Sequence, residues 1–255
     1  MAQQDVHVLA SDIDNTLTGD EKALCELAEQ LTSLRKEGKL FLVLSTGRRL
    51  DQVLDGLQNE NLPEPDAVVS QVGTEIYLPP LNENSGNLKS WEEKLRKEFS
   101  REQALHYVQN VEGIEMQPEK FNTPLKVSCY LDKAPDPEKA VKQIRAAVDR
   151  DQAGCQVIWS SSRDLDLIPA SAGKGKAIRF VLEHEQVASE QVIVAGDSGN
   201  DSSMFEEFGR GIVVGNAKPE LKAIESEYGT DNAFYFASAS YAAGVHEGLR
   251  HFGVC

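Results

Sequence analysis

Four short runs of this chain are almost unbroken apolar stretches: residues 6–10 (broken only by His7), 40–44, 192–195 and 211–215. Runs of this length read as strands buried on both faces, which is the pattern of a parallel sheet covered by helices. Apolar residues at helical spacing lie between and after them. Leu24, Leu27, Leu31 and Leu34 follow the first run, and Leu50, Val53, Leu54 and Leu57 follow the second. Ile178, Val181 and Leu182 precede the third, and Met204, Phe205 and Phe208 follow it. Residues 66–70 and 234–236 add shorter strands, Pro219 opens a helix, and Val245, Leu249 and Phe252 mark a closing one. Strand alternating with helix predicts an α/β fold with a Rossmann-like parallel-sheet core.

The middle of the chain departs from this pattern. Pro79-Pro80 and the polar stretch 82–87 read as a linker. Beyond it, Trp91, Leu95 and Phe99 are four apart, as on a helix, and Ala140, Val141, Ile144 and Val148 suggest a second one. Leu125, Val127, Cys129 and Leu131 alternate with Lys126, Ser128 and Tyr130, as in a half-buried antiparallel strand, and 157–159 and 165–168 suggest two more. The expected organisation is a core of residues 1–84 and 170–255 with an inserted α+β cap domain of residues 85–169. The polar face of that sheet either covers a pocket on the core or faces solvent.

Chemistry gathers where the apolar runs end, the edge at which open α/β sheets bind ligands. The first run ends in Ser11-Asp12-Ile13-Asp14-Asn15-Thr16, the second in Ser45-Thr46-Gly47-Arg48, and the third in Gly196-Asp197-Ser198-Gly199-Asn200-Asp201. Asp12 and Asp14, two apart, point to one side if the chain stays extended. Their mutual repulsion calls for a hard cation such as Mg²⁺, the alternative being an exposed acidic loop. Thr46 is placed to hold a phosphate oxygen or merely to cap a helix. Lys174, beside Gly173 and Gly175, precedes the helix of Ile178. Together these groups have what phosphoryl transfer needs: an attacking carboxylate, a second carboxylate for proton transfer, a cation, and Lys and Thr to hold oxygens.

Composition narrows the partners. A formal net charge of −15 over 255 residues argues against non-specific nucleic-acid binding and against anionic membranes. Cys25, Cys129, Cys155 and Cys255 show no ligand-like spacing and read as reduced thiols of a cytoplasmic protein. No apolar run approaches the length of a membrane span, and no basic-then-apolar leader is evident at the N-terminus.

The four motifs resemble those of the haloacid dehalogenase-like phosphatases, and the insertion resembles their C2-type cap. The segments 72–77, 125–128, 162–169 and 211–217 are similar to those of the sucrose-phosphate phosphatases, with mannosylfructose-phosphate phosphatases similar over the same segments and at 247–251. The resemblance implies hydrolysis of sucrose 6-phosphate, or of another sugar phosphate, through an aspartyl-phosphate. Asp12 would be the nucleophile and Asp14 the acid/base. Asp12, Asp14, Asp197 and Asp201 would surround Mg²⁺. Thr46, Lys174 and Asn200 would hold phosphate, with Lys176 as a rival to Lys174. Gly47, Gly73, Thr74, Glu75, Lys126, Arg163, Asp164 and Asp166 would contact substrate. A small disaccharide phosphate is the expected partner of a monomer, with a sugar-phosphate synthase as a candidate protein partner. A phosphoacceptor signalling domain or a silent phosphosugar-binding module would share parts of this set. Asp14 and the inserted cap speak against the first, and the four intact motifs against the second.

Overall fold

A computed structural model describes residues 6–188, 191–224 and 233–255. Among these residues the larger sheet has seven strands in the order β11-β10-β9-β1-β2-β3-β4. They are β1 (His7–Ser11), β2 (Leu40–Ser45), β3 (Ala67–Ser70), β4 (Glu75–Tyr77), β9 (Val192–Gly196), β10 (Arg210–Val213) and β11 (Ala233–Phe236). All neighbours are parallel except β4, which runs antiparallel to β3 at the edge. The apolar runs are buried on both faces, with Val8, Leu9, Leu42, Val43, Ile193 and Val194 fully inaccessible.

Helices α1 (Glu21–Lys36), α2 (Leu50–Asn59), α6 (Lys174–His184), α7 (Ser202–Phe208), α8 (Pro219–Lys222) and α9 (Tyr241–His251) accompany this sheet. The first begins where the Asp20 carboxylate accepts from the Ala23 amide, and it buries Leu24, Leu27 and Leu31. Register brings the functional loops together. Ser11 lies opposite Leu44 on one side and Ala195 on the other, so Asp12, Thr46 and Asp197 all leave the sheet within two residues of one edge.

The insertion carries a four-stranded antiparallel sheet in the order β5-β6-β8-β7, made of β5 (Glu115–Met116), β6 (Val127–Tyr130), β7 (Cys155–Ser160) and β8 (Asp164–Pro169). One face packs Val127, Cys129, Leu165 and Leu167 on α4 (Arg101–Val108) and α5 (Pro137–Arg150) in a hydrophobic cluster of its own. Helix α4 was invisible in the pattern because its buried positions are only Ala104 and Val108. Helix α3 (Lys89–Arg96) falls within the span read as the insertion, but its buried face belongs to the larger core. The Trp91 ring lies 4.9 Å from that of Phe180 on α6, and its indole N–H donates to the Gly73 carbonyl at 3.2 Å. The four cysteines are free, and no described helix is long and apolar enough to cross a membrane.

The C-terminal segment is tied down by one carboxylate. Glu247 accepts from Tyr235 Oη at 2.7 Å, from the Ser238 amide at 3.1 Å and from the Ala239 amide at 2.9 Å. These donors, the tyrosine foremost, lower its pKa to about 2. A folded value below the unfolded one of about 4.3 stabilises fully above the latter, and the benefit is lost as pH falls toward the former. Glu247→Gln is therefore expected to lower Tm at pH 7 by about 3 °C. Thermal melts across pH should show the gap to the wild type narrowing below about pH 4; a gap that stays constant down to pH 3 would remove the carboxylate's charge from the account.

Candidate active site

Lys174 opens α6 with its side chain fully buried, an unusual place for an ammonium. Its Nζ donates to Asp12 Oδ1 and to Asp201 Oδ1, each at 2.6 Å. Asp201 Oδ2 accepts from the amides of Asp197 and Ser198 at 3.0 and 3.1 Å, which folds the loop after β9 back on itself. Carboxylate oxygens of Asp12, Asp197 and Asp201 all lie within 4.8 Å of one another. Burial disfavours ionising Asp12 and Asp197. It raises Asp12 well above the usual carboxylate range, against the pull of Lys174. It also brings Asp197 up to about 7, with the charge of Asp201 adding to the effect. Burial alone would lower Lys174, but Asp12 and Asp201 together hold it above its ordinary value.

Two glycines allow Lys174 to sit there. A Cβ on Gly73, which has φ +86°, would stand 2.3 Å from the Gly173 carbonyl carbon, so the turn at 71–73 closes directly onto the start of α6. A Cβ on Gly175 would stand 2.0 Å from the Ser203 carbonyl oxygen, where α6 and α7 touch. Lys176, two residues beyond Lys174, points away and donates to the Ala170 carbonyl at 2.9 Å.

Asp12 and Asp197 form the floor of a cavity of about 350 Å³ between core and cap, a volume within the range of small-molecule sites. The core also contributes Asp14, Gly47, Arg48 and Asn200. The cap contributes Lys126, Tyr130, Arg163, Asp164 and Asp166 from the polar face of its sheet. That face therefore covers the acidic loops, with Lys126, Ser128 and Asp166 buried and Arg163 exposed at its rim. Lys126 is 3% exposed, its Nζ 3.7 Å from Asp166, whose Oδ1 also accepts from Ser128 Oγ at 2.5 Å. At the far rim the Ser161 amide, in the turn between β7 and β8, donates to Glu220 of α8 at 3.2 Å.

Five of the residues expected at the substrate, Thr46, Gly73, Thr74, Glu75 and Lys174, do not line this cavity. Gly73 and Thr74 are buried beneath its wall, the Thr74 hydroxyl donating to the Gln71 carbonyl at 3.0 Å. Glu75 accepts from Tyr77 Oη at 2.9 Å and lines a different cavity beside Arg49 and Lys120. Gln71 and Val72, with φ of 51° and 60°, turn the chain so that Val72 alone of this turn borders the acidic cavity. The turn seats Lys174, its Gly73 lying directly against the Gly173 carbonyl. Thr46 is likewise fully buried, and its Oγ1 accepts from the Arg48 amide at 3.0 Å.

Arg48 adjoins Gly47 in the motif, and only the structure shows its part in the site. Its guanidinium grips the half-exposed Asp14 from Nε at 3.0 Å and Nη2 at 2.8 Å, and Glu60 from Nη2 at 2.9 Å. Gln117 and Phe121, also on the wall, come from a stretch with no periodicity to reveal them.

Gly175→Ala is expected to push α6 off α7 and lower Tm by about 5 °C. Calorimetric melting checks this, and a wild-type Tm would show that the contact between the two helices yields freely.

Comparison with known proteins agrees with this geometry. The chain is 32% identical over 250 residues to the mannosylfructose-phosphate phosphatase of Agrobacterium fabrum, covering 98% of each. It is 28% identical to sucrose-phosphatase 1 of Nicotiana tabacum, matching 97% of this chain but 59% of that longer protein. The solved structure of the sucrose-phosphatase from Synechocystis sp. PCC6803, in complex with sucrose and phosphate, superposes with a TM-score of 0.90. It covers 98% of this chain and 99% of its own, at 32% identity. The family model of the sucrose-6F-phosphate phosphohydrolases matches residues 6–253, and with a buried acidic cluster under a C2-type cap this chain belongs to that haloacid dehalogenase-like phosphatase family.

Proposed function

We propose that this chain hydrolyses a disaccharide phosphate, with sucrose 6-phosphate as the preferred substrate, through an aspartyl-phosphate on Asp12. The observation that carries the reading is the Asp12 carboxylate on the cavity floor, one oxygen held by Lys174 at 2.6 Å and Asp197 beside it. An oxygen of Asp12 attacks phosphorus and the bond from phosphorus to the sugar oxygen breaks. Asp14 supplies the proton that the leaving oxygen takes. Water then attacks the acyl phosphate, Asp14 accepts its proton, and the bond from phosphorus to Asp12 breaks, returning the carboxylate. Lys174 and Thr46 hold the nucleophile and the phosphate oxygens in place.

Three buried carboxylates around one ammonium leave excess negative charge and hard oxygen donors, a set that fits Mg²⁺. Asp12 and Asp197 would hold it, with the Asp14 backbone and Asp201 beside them. When bound it would offset the repulsion between Asp12 and the phosphate dianion. Arg48 bears on the acid/base role. The Arg48 guanidinium occupies the Asp14 carboxylate, so delivering a proton requires Asp14 to exchange Arg48 for the ester, while Glu60 keeps Arg48 behind.

Sugar recognition falls to the cap face. Lys126, Asp166 and the Arg163–Asp164 pair offer donors and acceptors suited to hydroxyls, and Arg163 also lies over the Tyr130 ring at 5.3 Å. The likeness of the Agrobacterium relative, covering 98% of each chain, favours mannosylfructose phosphate as the second reading. A monomer in a reducing, cytoplasmic setting is consistent with four free thiols. A synthase that makes the ester is the protein partner this reading suggests.

Phosphate release with Mg²⁺ from sucrose 6-phosphate, mannosylfructose phosphate and hexose phosphates tests the reading. The expected result is kcat/KM for sucrose 6-phosphate at least about tenfold above the others. Equal rates on all would withdraw the disaccharide specificity. Asp12→Asn should lose at least about a thousandfold in kcat without a fall in Tm, since it removes a buried charge without changing shape. Retained turnover would exclude Asp12 as nucleophile.

A further inference from the structure

We propose that Asn216, in the loop between β10 and α8, is a positioning residue that holds the backbone of the first acidic loop in its working shape. The apex of that loop is Asp14-Asn15; both are exposed, while Ile13, Thr16 and Leu17 are fully buried. Asn15 has φ of 60°, a left-handed conformation that asparagine adopts more readily than other L-residues and that reverses the chain there. The two apex residues are gripped from opposite sides. Arg48, from the loop after β2, takes the Asp14 carboxylate, and Asn216 Nδ2 donates to the Asn15 carbonyl at 2.7 Å.

Asn216 is itself fixed. Its Oδ1 accepts from the Tyr241 amide at the start of α9 at 2.9 Å. The Gly215 amide donates to the Ala239 carbonyl at 2.8 Å, and Lys222 Nζ donates to the Gly215 carbonyl at 2.9 Å. Two residues on, the Lys218 amide donates to the Asp197 carbonyl at 2.7 Å. One short loop therefore ties together the backbones that carry Asp14 and Asp197, and it does so through Asn216 on the Asp14 side. The consequence for turnover rests on the phosphatase reading; the consequence for the loop does not.

The two bonds of Asn216 can be separated. Asn216→Asp keeps an acceptor for the Tyr241 amide but puts an oxygen against the Asn15 carbonyl, and Asn216→Ala removes both bonds. Two readouts are needed. One is kcat and KM on sucrose 6-phosphate. The other is hydrogen exchange at the amides of Thr16, Leu17 and Thr18, which all donate to the Ile13 carbonyl. Asn216→Asp should keep the wild-type Tm, exchange those amides roughly tenfold faster and lose roughly tenfold in kcat with KM within about twofold. Asn216→Ala should do the same and also melt lower. Wild-type exchange in Asn216→Asp, or faster exchange with an unchanged kcat, overturns the proposal and leaves Asn216 as a tether for α9. If the wild type hydrolyses none of the sugar phosphates, the phosphatase reading fails, and the exchange rates still decide whether Asn216 holds the loop.

Discussion

A lysine ammonium with no access to water, shared by two carboxylates at 2.6 Å, organises the centre of this molecule. Removing the ammonium would leave two buried carboxylates without a partner in a medium that cannot solvate them, which is far more costly than keeping the set together. Lys174 therefore binds the end of β1, the start of α6 and the loop after β9 into one unit. Around it the neighbouring elements approach unusually closely. The turn at 71–73 lies against Gly173, and the α7 backbone lies against Gly175. The same arrangement leaves the site short of positive charge, because Asp197 is buried nearby and Lys174 cannot satisfy all three carboxylates.

The two sheets divide the work. The parallel sheet delivers reactive groups at fixed register, with Asp12, Thr46 and Asp197 leaving within two residues of one edge. The antiparallel sheet supplies a wall of polar side chains whose other face is hydrophobic, so the alternation that folds the cap also makes it a lid with binding groups. Arg48 and Asn216 stand between these roles, since each holds one residue of an otherwise exposed loop apex.

Much of this was legible in the sequence because it followed from periodicity. Strands buried on both faces announce a parallel sheet, and their ends announce a site. The alternation of Lys126, Ser128 and Tyr130 with apolar neighbours marked the face that now covers Asp12. What escaped depends on tertiary direction. Spacing alone does not separate Lys174 from Lys176; the family resemblance favours Lys174, and it is the one sealed against carboxylates while Lys176 caps a carbonyl outside. Gly73-Thr74-Glu75 sits beside the site, and left-handed Gln71 and Val72 bring only Val72 of this turn to the cavity wall. Trp91 reads as part of the insertion until its ring is seen packed on Phe180 in the larger core. Arg48 and Asn216 matter through partners 34 and 201 residues away, which no local pattern encodes.

The most direct test of the central claim is to locate the phosphate during turnover. Enzyme mixed with labelled sucrose 6-phosphate and Mg²⁺, quenched in acid within milliseconds and digested, should carry the label on the peptide containing residue 12, at its aspartate. The label should be absent from Asp12→Asn. Turnover with no label on Asp12, or label on another residue, would contradict the account.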